Sequence, residues 1–134
     1  MKFARFTFLA SGTIGMLVLV PLYFQLEKLG VDNPPAIAHP EFYYGFLGVG
    51  LAFQIVFIII STDPSKYRPF MLAAIFEKLA FVIPTFYLYS QGNPLGPIII
   101  GASLDLMWGV LFVISYFKVA RQNPDIKLAS ELEN

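Results

Sequence analysis

The chain has 134 residues, of which 57% are hydrophobic and 13% are charged, a balance that excludes an ordinary soluble domain because its surface would carry too little charge. Nine basic and nine acidic residues cancel, so no overall positive charge favours nucleic acid as a partner. The sequence contains no cysteine, which excludes disulfides, Cys-ligated zinc, iron–sulfur clusters and thiol catalysis. Composition therefore predicts a membrane protein.

Four apolar runs are each about 20 residues long, enough for a helix to cross a hydrocarbon core of roughly 30 Å. We predict spans near residues 7–26, 42–61, 69–90 and 97–117. Proline or glycine in each intervening segment marks the ends of these helices. The predicted fold class is all-α: a polytopic membrane protein whose four transmembrane helices form an antiparallel bundle over residues 1–120, with a short polar tail at 121–134.

The first apolar run follows MKFAR at the start of the sequence. A basic start followed by an apolar run resembles a signal peptide. The run continues through GMLVLVPLYF without a convincing small-residue cleavage site. We therefore interpret it as a retained first span.

The segment between the first two spans ends in HPEFYYGF, which contains the only histidine. His39 and Glu41 flank a proline at the mouth of the second span, where an imidazole and a carboxylate could line an entrance. Two ligands of different kinds without a third are too few to predict a metal site. Tyr43 and Tyr44 follow at headgroup level, and this placement favours an interfacial aromatic belt over an entrance.

The distribution of Lys and Arg predicts the orientation, because basic residues near the ends of spans resist translocation. Lys28 is the only one on the side of the 27–41 loop. Seven lie on the opposite side: Lys2, Arg5, Lys66, Arg68, Lys118, Arg121 and Lys127. Both termini are therefore predicted to be cytoplasmic, and the 27–41 loop, with His39, is predicted to lie outside.

The third span contains adjacent charged residues, Glu77 and Lys78, in AAIFEKLAFVIP. Glu77 is predicted about 12 Å from the cytoplasmic end of its span, at 1.5 Å per residue. An ionised side chain at mid-span costs about 2.5–3.5 kcal/mol on insertion scales, against about 0.3–0.6 kcal/mol gained per large apolar residue. Adjacent helical residues point about 100° apart, so we expect the two to find partners on other helices rather than in each other.

Two residues on other spans lie at matching depths. Asp105 in the fourth span is within one helical turn of Lys78 in depth, which predicts a Lys78–Asp105 ion pair, although antiparallel helical side chains lean apart. Gln54 in the second span lies near the level of Glu77 and is positioned to donate a hydrogen bond to it. One carboxylate is then left without a cation. Because such a group favours its protonated form at low dielectric, Glu77 or Asp105 is a candidate proton carrier.

Small residues surround Asp105 on the fourth span, where Gly101, Asp105 and Gly109 recur every four residues. This spacing predicts close approach of a neighbouring helix. Trp108, one turn from Asp105, is interpreted either as a packing residue or as a wall of a cavity, since ligand sites favour aromatic walls with few polar groups. The same small-residue spacing occurs on the first two spans, where it favours internal packing over contact between protomers: Ser11 with Gly15, and Gly48 with Ala52.

Three stretches, HPEFYYGF, RPFMLAAIFEKLAF and LDLMWGVLF, together resemble a group of small, uncharacterised bacterial membrane proteins with four spans. In size and span count the chain also loosely resembles the DoxX-like proteins. The resemblance implies a four-span fold in a bacterial inner membrane. It implies no assigned chemistry that transfers to these residues.

We expect a non-enzymatic binding or accessory protein in which Glu77, Lys78 and Asp105 form a polar site for a lipophilic ligand or a partner's membrane helix. The alternative is a proton-coupled small-molecule transporter. A second alternative is a membrane enzyme that uses Glu77 or Asp105 as general acid or base on a lipid-like substrate. The sequence contains no HExxH, phosphate-binding glycine loop or GxSxG motif, so no cofactor is predicted. Expected partners are the bilayer, such a ligand, and a second copy or a larger membrane complex.

Overall fold

The computed structural model describes residues 1–32 and 37–122. Within these ranges the regular structure is entirely helical, so the all-α prediction is confirmed. The described helices, in chain order, are α1 (Lys2–Leu22), α2 (Leu26–Asp32), α3 (Pro40–Thr62), α4 (Arg68–Ser90) and α5 (Ile98–Gln122). The polar tail predicted after residue 120 lies outside the described residues from position 123 onward, and so does its Lys127.

Four of these helices, α1, α3, α4 and α5, are long and apolar enough to cross a membrane. They contain 21 to 25 residues, and the most apolar window of each has a mean hydropathy between 1.6 and 2.1. At 1.5 Å per residue each is about 31 Å long or more, which matches a hydrocarbon core of roughly 30 Å. The protein is therefore a polytopic helical bundle embedded in a membrane.

The ends of two spans differ from the prediction. The first helix begins at Lys2 and ends at Leu22, rather than covering 7–26, and the last helix continues from the predicted end at 117 to Gln122. Hydropathy locates the apolar part of a helix, whereas the backbone hydrogen bonds also continue through charged residues at its ends. Lys2 and Arg121 are such residues.

The short helix α2 was not predicted, because proline and glycine nearby favoured a loop. Its residues are exposed or half-buried, and it occupies the connection between α1 and α3. The Leu29 N–H donates to the Gln25 carbonyl at 2.9 Å and helps to start this helix. Part of the connection between α1 and α3 is therefore helical.

The four long helices form a closed ring of neighbours. Helix α1 packs along α3 and α4 packs along α5, and smaller contacts join α1 to α5 and α3 to α4. At one end the Met1 amine donates to the Gln122 side chain, and at the other the Tyr43 hydroxyl donates to the Leu22 carbonyl. Contacts between the start of one helix and the end of another show that these neighbours are antiparallel.

An aromatic core fills the half of the bundle nearest the α3–α4 loop. Phe8 of α1 stacks on Phe112 of α5 with ring centroids 4.2 Å apart, and Phe57 of α3 meets Phe112 edge-on at 4.9 Å. Met71 and Ala74 of α4 complete this buried cluster. Because lipid chains are as apolar as these side chains, close packing rather than transfer from water holds the four helices together.

The small-residue pairs have different surroundings. Ser11 is buried, and Gly15 lies directly against the Gln54 side chain, so this pair serves internal packing as predicted. Gly48 and Ala52 are exposed, and a Cβ atom added at Gly48 would meet nothing within 4 Å. The prediction of internal packing is therefore wrong for Gly48 and Ala52, because a spacing of four residues identifies a face of a helix without identifying its neighbour.

Candidate functional site

Lys78 lies on the core face of α4. The buried residues of this helix recur at intervals of three or four, the repeat that keeps one side of a helix against its neighbours: Met71, Ala74, Lys78, Val82 and Thr85. Only 5% of the Lys78 side chain is exposed. A lysine at this position places an ammonium group inside the bundle, where it requires anionic partners.

Asp105 of α5 is the first partner of Lys78. The Lys78 Nζ lies 2.9 Å from Asp105 Oδ1, so the predicted ion pair is present in the structure. A Cβ atom added at Gly109, one turn further along α5, would lie 3.4 Å from Lys78 Cβ. The glycine thus lets α4 and α5 approach closely at this level, and the lysine stem is long enough to reach the carboxylate despite the opposite lean of the two side chains.

Glu77 is the second partner, which corrects the expectation that adjacent residues would not pair. Lys78 Nζ lies 3.1 Å from Glu77 Oε2, because the flexible lysine stem bends back across the direction of its neighbour. This oxygen is buried, and the ammonium group of Lys78 is the charged group that lies beside it. The charge of Glu77 is therefore compensated by the same lysine that pairs with Asp105.

Gln54 does not belong to this cluster, and the predicted hydrogen bond to Glu77 is wrong. Its side-chain amide donates to the Gly50 carbonyl at 3.0 Å on its own helix, α3. The Gln54 side-chain oxygen lies against Gly15 of α1, in the space that a side chain at position 15 would occupy. The Gln54 side chain points toward α1 rather than α4.

Trp108 is a packing residue. Its half-buried ring packs against the aromatic core. It is not among the residues that line the cavity beside Asp105, so the interpretation of Trp108 as a cavity wall is wrong. Trp108 packs into the core, whereas its neighbours Gly109 and Val110 line the groove.

A groove between α4 and α5 leads to the charged cluster. A cavity beside Asp105 was one of the two interpretations of Trp108, but its position between these two helices was not predicted. Its volume is about 200 Å³, and Lys78, Asp105 and Gly109 lie along it. Its apolar walls include Ile75, Leu79 and Val82 from α4 with Leu106, Val110 and Ile114 from α5. The groove is open to the outside of the bundle, since 52% of Val110 is exposed. Because these residues lie in the membrane-spanning part of the helices, lipid hydrocarbon surrounds the opening of the groove.

The residues predicted as an entrance lie at the start of α3, and they do not line the groove between α4 and α5. His39 Nδ1 lies 3.0 Å from Glu41 Oε1, and both side chains are well exposed. Tyr43 binds the end of α1 through its hydroxyl, and the Tyr44 ring lies 5.0 Å from that of Tyr23. These contacts join α3 to the end of α1, as in an interfacial aromatic belt. Among the described residues, no three His, Cys, Asp or Glu side chains could hold a metal ion together.

Comparisons with protein-family models, with curated proteins and with solved structures each found no match to this chain. The resemblance to small four-span bacterial proteins and to the DoxX-like proteins therefore stays a prediction. Function has to be inferred from the groove and from the charged residues behind it.

Proposed function

We propose that this protein binds one end of a lipophilic small molecule, taken laterally from the bilayer, in the groove between α4 and α5. The observation that carries the proposal is a groove that joins a lipid-facing opening to a buried charged cluster. Its walls are apolar, and Asp105, with 25% of its side chain exposed, supplies a polar group along it. Apolar walls with a few convergent polar groups are typical of small-molecule sites.

The size of the groove favours a small amphiphile over a partner's helix. Its volume of about 200 Å³ is below the roughly 300–1,000 Å³ of pockets that enclose a whole ligand. It therefore suits the polar end of a molecule whose remainder lies among the lipid chains. A partner helix would instead need a face extending over several turns.

We also propose that the protein lies in a bacterial inner membrane with both termini in the cytoplasm. The contact between Met1 and Gln122 and the hydrogen bond from Arg68 Nε to the Tyr116 carbonyl at 3.2 Å bring α1's start, α4's start and α5's end together. The described basic residues of the N-terminus, the α3–α4 loop and the end of α5 thus share one end of the bundle. Basic residues concentrated at one end favour a cytoplasmic location for that end.

A photoreactive dodecanol that carries a diazirine next to its hydroxyl group tests the groove. The protein is reconstituted in phosphatidylcholine vesicles, and labelled positions are mapped by mass spectrometry. We expect labelling of Leu106 and Ile114 that saturates with probe concentration. Val110→Phe fills the groove and should weaken this labelling about tenfold, equivalent to a loss of about 1.4 kcal/mol.

Leu104→Phe is the matched control. Leu104 is on the same helix and is 51% exposed, against 52% for Val110, but it does not line the groove. The control should label as the native protein does. Labelling that rises linearly with probe concentration and is insensitive to Val110→Phe would mean that the alcohol samples only the lipid-facing surface, and the proposal would fail.

A further inference from the structure

The charged cluster inside the bundle has one more carboxylate than it has cations. Glu77, Lys78 and Asp105 are the described Asp, Glu, Lys or Arg residues in the middle of the four spans. Two carboxylates and one ammonium sum to a net charge of −1 when all three are ionised. Asp105 lies seven residues from the start of α5 at Ile98, about 10 Å along the helix. A net charge at that depth favours a compensating cation.

Lys78 contacts Oδ1 of Asp105, and 25% of the Asp105 side chain stays exposed. The ammonium group contacts Asp105 Oδ1 at 2.9 Å and Glu77 Oε2 at 3.1 Å, and it is almost fully buried behind both. Asp105 lines the groove, whereas Glu77 does not. A molecule in the groove therefore lies beside the Asp105 side chain, in surroundings where water is scarce and charge pairing is strong.

We propose that the ligand of the groove is a lipophilic amine, whose ammonium group pairs with Asp105 and whose hydrocarbon chain lies along Val110 and Ile114. The inference rests on the proposed function and adds the ligand's charge. The ammonium group brings the net charge of the cluster to zero. A phospholipid amine headgroup fits less well, because its phosphate would also have to leave the headgroup layer for the hydrocarbon.

Matched photoreactive probes test the ligand's charge. The first is the diazirine dodecanol described above, and the second is the dodecylamine with the same chain and diazirine. The amine is protonated at neutral pH. Half-saturation of labelling at Leu106 and Ile114 is measured for each probe, with lysophosphatidylethanolamine as a zwitterionic competitor. We expect the amine to bind at least about tenfold more tightly than the alcohol, as for one charge-assisted hydrogen bond, and the competitor to displace it poorly.

The ratio of amine to alcohol affinity is then compared between variants. Asp105→Asn should reduce this ratio to within about twofold of unity, because the remaining Glu77–Lys78 pair is neutral. Glu77→Gln should also reduce the ratio to within about twofold of unity, although it keeps the Lys78–Asp105 pair. This variant provides the test if Asp105→Asn does not fold. Leu104→Phe should retain the native ratio.

The outcomes separate this inference from the proposed function. If the alcohol labels the groove saturably but the native protein does not prefer the amine, the protein binds neutral amphiphiles and a proton balances the charge, which overturns the inference alone. Efficient displacement by lysophosphatidylethanolamine would assign the amine to a lipid headgroup and also overturn it. If neither probe labels saturably, the proposed function itself fails.

Discussion

At the scale of single residues, Lys78 determines the chemistry of the bundle interior. Its ammonium group pairs with Asp105 of α5 and Glu77 of its own helix, and it lies 5.2 Å from the centre of the Phe57 ring. A buried ion pair contributes little net stability, because removing the charges from water costs about as much as their attraction returns. Removing one member is far more damaging, since an unpaired charge then remains buried.

The first stability prediction follows from this asymmetry. Lys78→Met leaves two buried carboxylates without a cation and should lower the free energy of unfolding by about 3–5 kcal/mol. The triple variant Lys78→Met, Asp105→Asn and Glu77→Gln removes every charge of the cluster and should recover more than half of that loss. Unfolding is measured in mixed micelles by the fluorescence of Trp108, the only tryptophan.

The exposed lysine Lys66 provides the control, and Lys66→Met should change the free energy of unfolding by less than about 0.5 kcal/mol. If the triple variant were no more stable than Lys78→Met, the loss would come from the missing lysine stem rather than from unpaired charge. The role of the cluster would then be packing.

The Lys78–Asp105 pair was predictable because depth can be counted along a helix from its end. Gln54 was misplaced because depth does not determine the direction in which a side chain points around the helix axis. That direction depends on which neighbour α3 packs against, here α1 through Gly15. The groove was missed for the same reason, since it exists only between two particular helices.

At the scale of helices, the contact between α1 and α3 depends on two glycines. A Cβ atom added at Gly12 would lie 2.8 Å from the Gln54 carbonyl oxygen and 2.8 Å from Ile58 Cγ1. One added at Gly15 would overlap the Gln54 side chain. The two helices can therefore pack at this distance only with glycine at position 12, where the overlap is with backbone, whereas a side chain at position 15 would require the Gln54 side chain to move.

This packing gives the second stability prediction. Gly15→Ala should lower the free energy of unfolding by about 1–3 kcal/mol, because overpacking outweighs the roughly 0.5–1 kcal/mol that alanine gains over glycine within a helix. Gly15→Ala combined with Gln54→Ala should recover most of the loss. The measurement is equilibrium unfolding in mixed micelles.

Gly48→Ala is the control for Gly15→Ala, because a Cβ atom there meets nothing within 4 Å. It should leave stability unchanged or raise it slightly. Equal losses for Gly15→Ala and Gly48→Ala would show that the cost arises from the helices themselves rather than from the contact between α1 and α3.

At the scale of the whole molecule, the chain runs up and down through four long helices, and most of the described basic residues lie at one end. Arg68 stacks on the Tyr116 ring at 3.8 Å, and Lys118 lies 4.3 Å from the centre of the Phe3 ring. These contacts fix basic side chains around the end that contains the α3–α4 loop. The lengths of the apolar runs alone predicted the number of spans, because hydropathy acts on long stretches of sequence rather than on single contacts.

The topology prediction uses the absence of native cysteine. His39→Cys should react with a membrane-impermeant maleimide added to intact bacterial cells whose outer membrane has been permeabilised. Lys66→Cys, in the α3–α4 loop, should react only after the inner membrane is also disrupted. Both positions are exposed, so accessibility from one side of the membrane is the variable measured. Reaction of Lys66→Cys in cells with an intact inner membrane would reverse the proposed orientation.

The aromatic core occupies only one half of the bundle, and this makes the two halves mechanically unequal. Phe8, Phe57 and Phe112 bind the helices together near the α3–α4 loop, whereas α4 and α5 are joined at their opposite ends by a turn with left-handed glycines, Gly92 and Gly96. Ile75 packs against the aromatic core and also lines the groove, so the groove begins beside the half of the bundle that contains this core. A molecule that exchanges with the bilayer would therefore leave the groove past the exposed Val110, without any step that unfolds the protein.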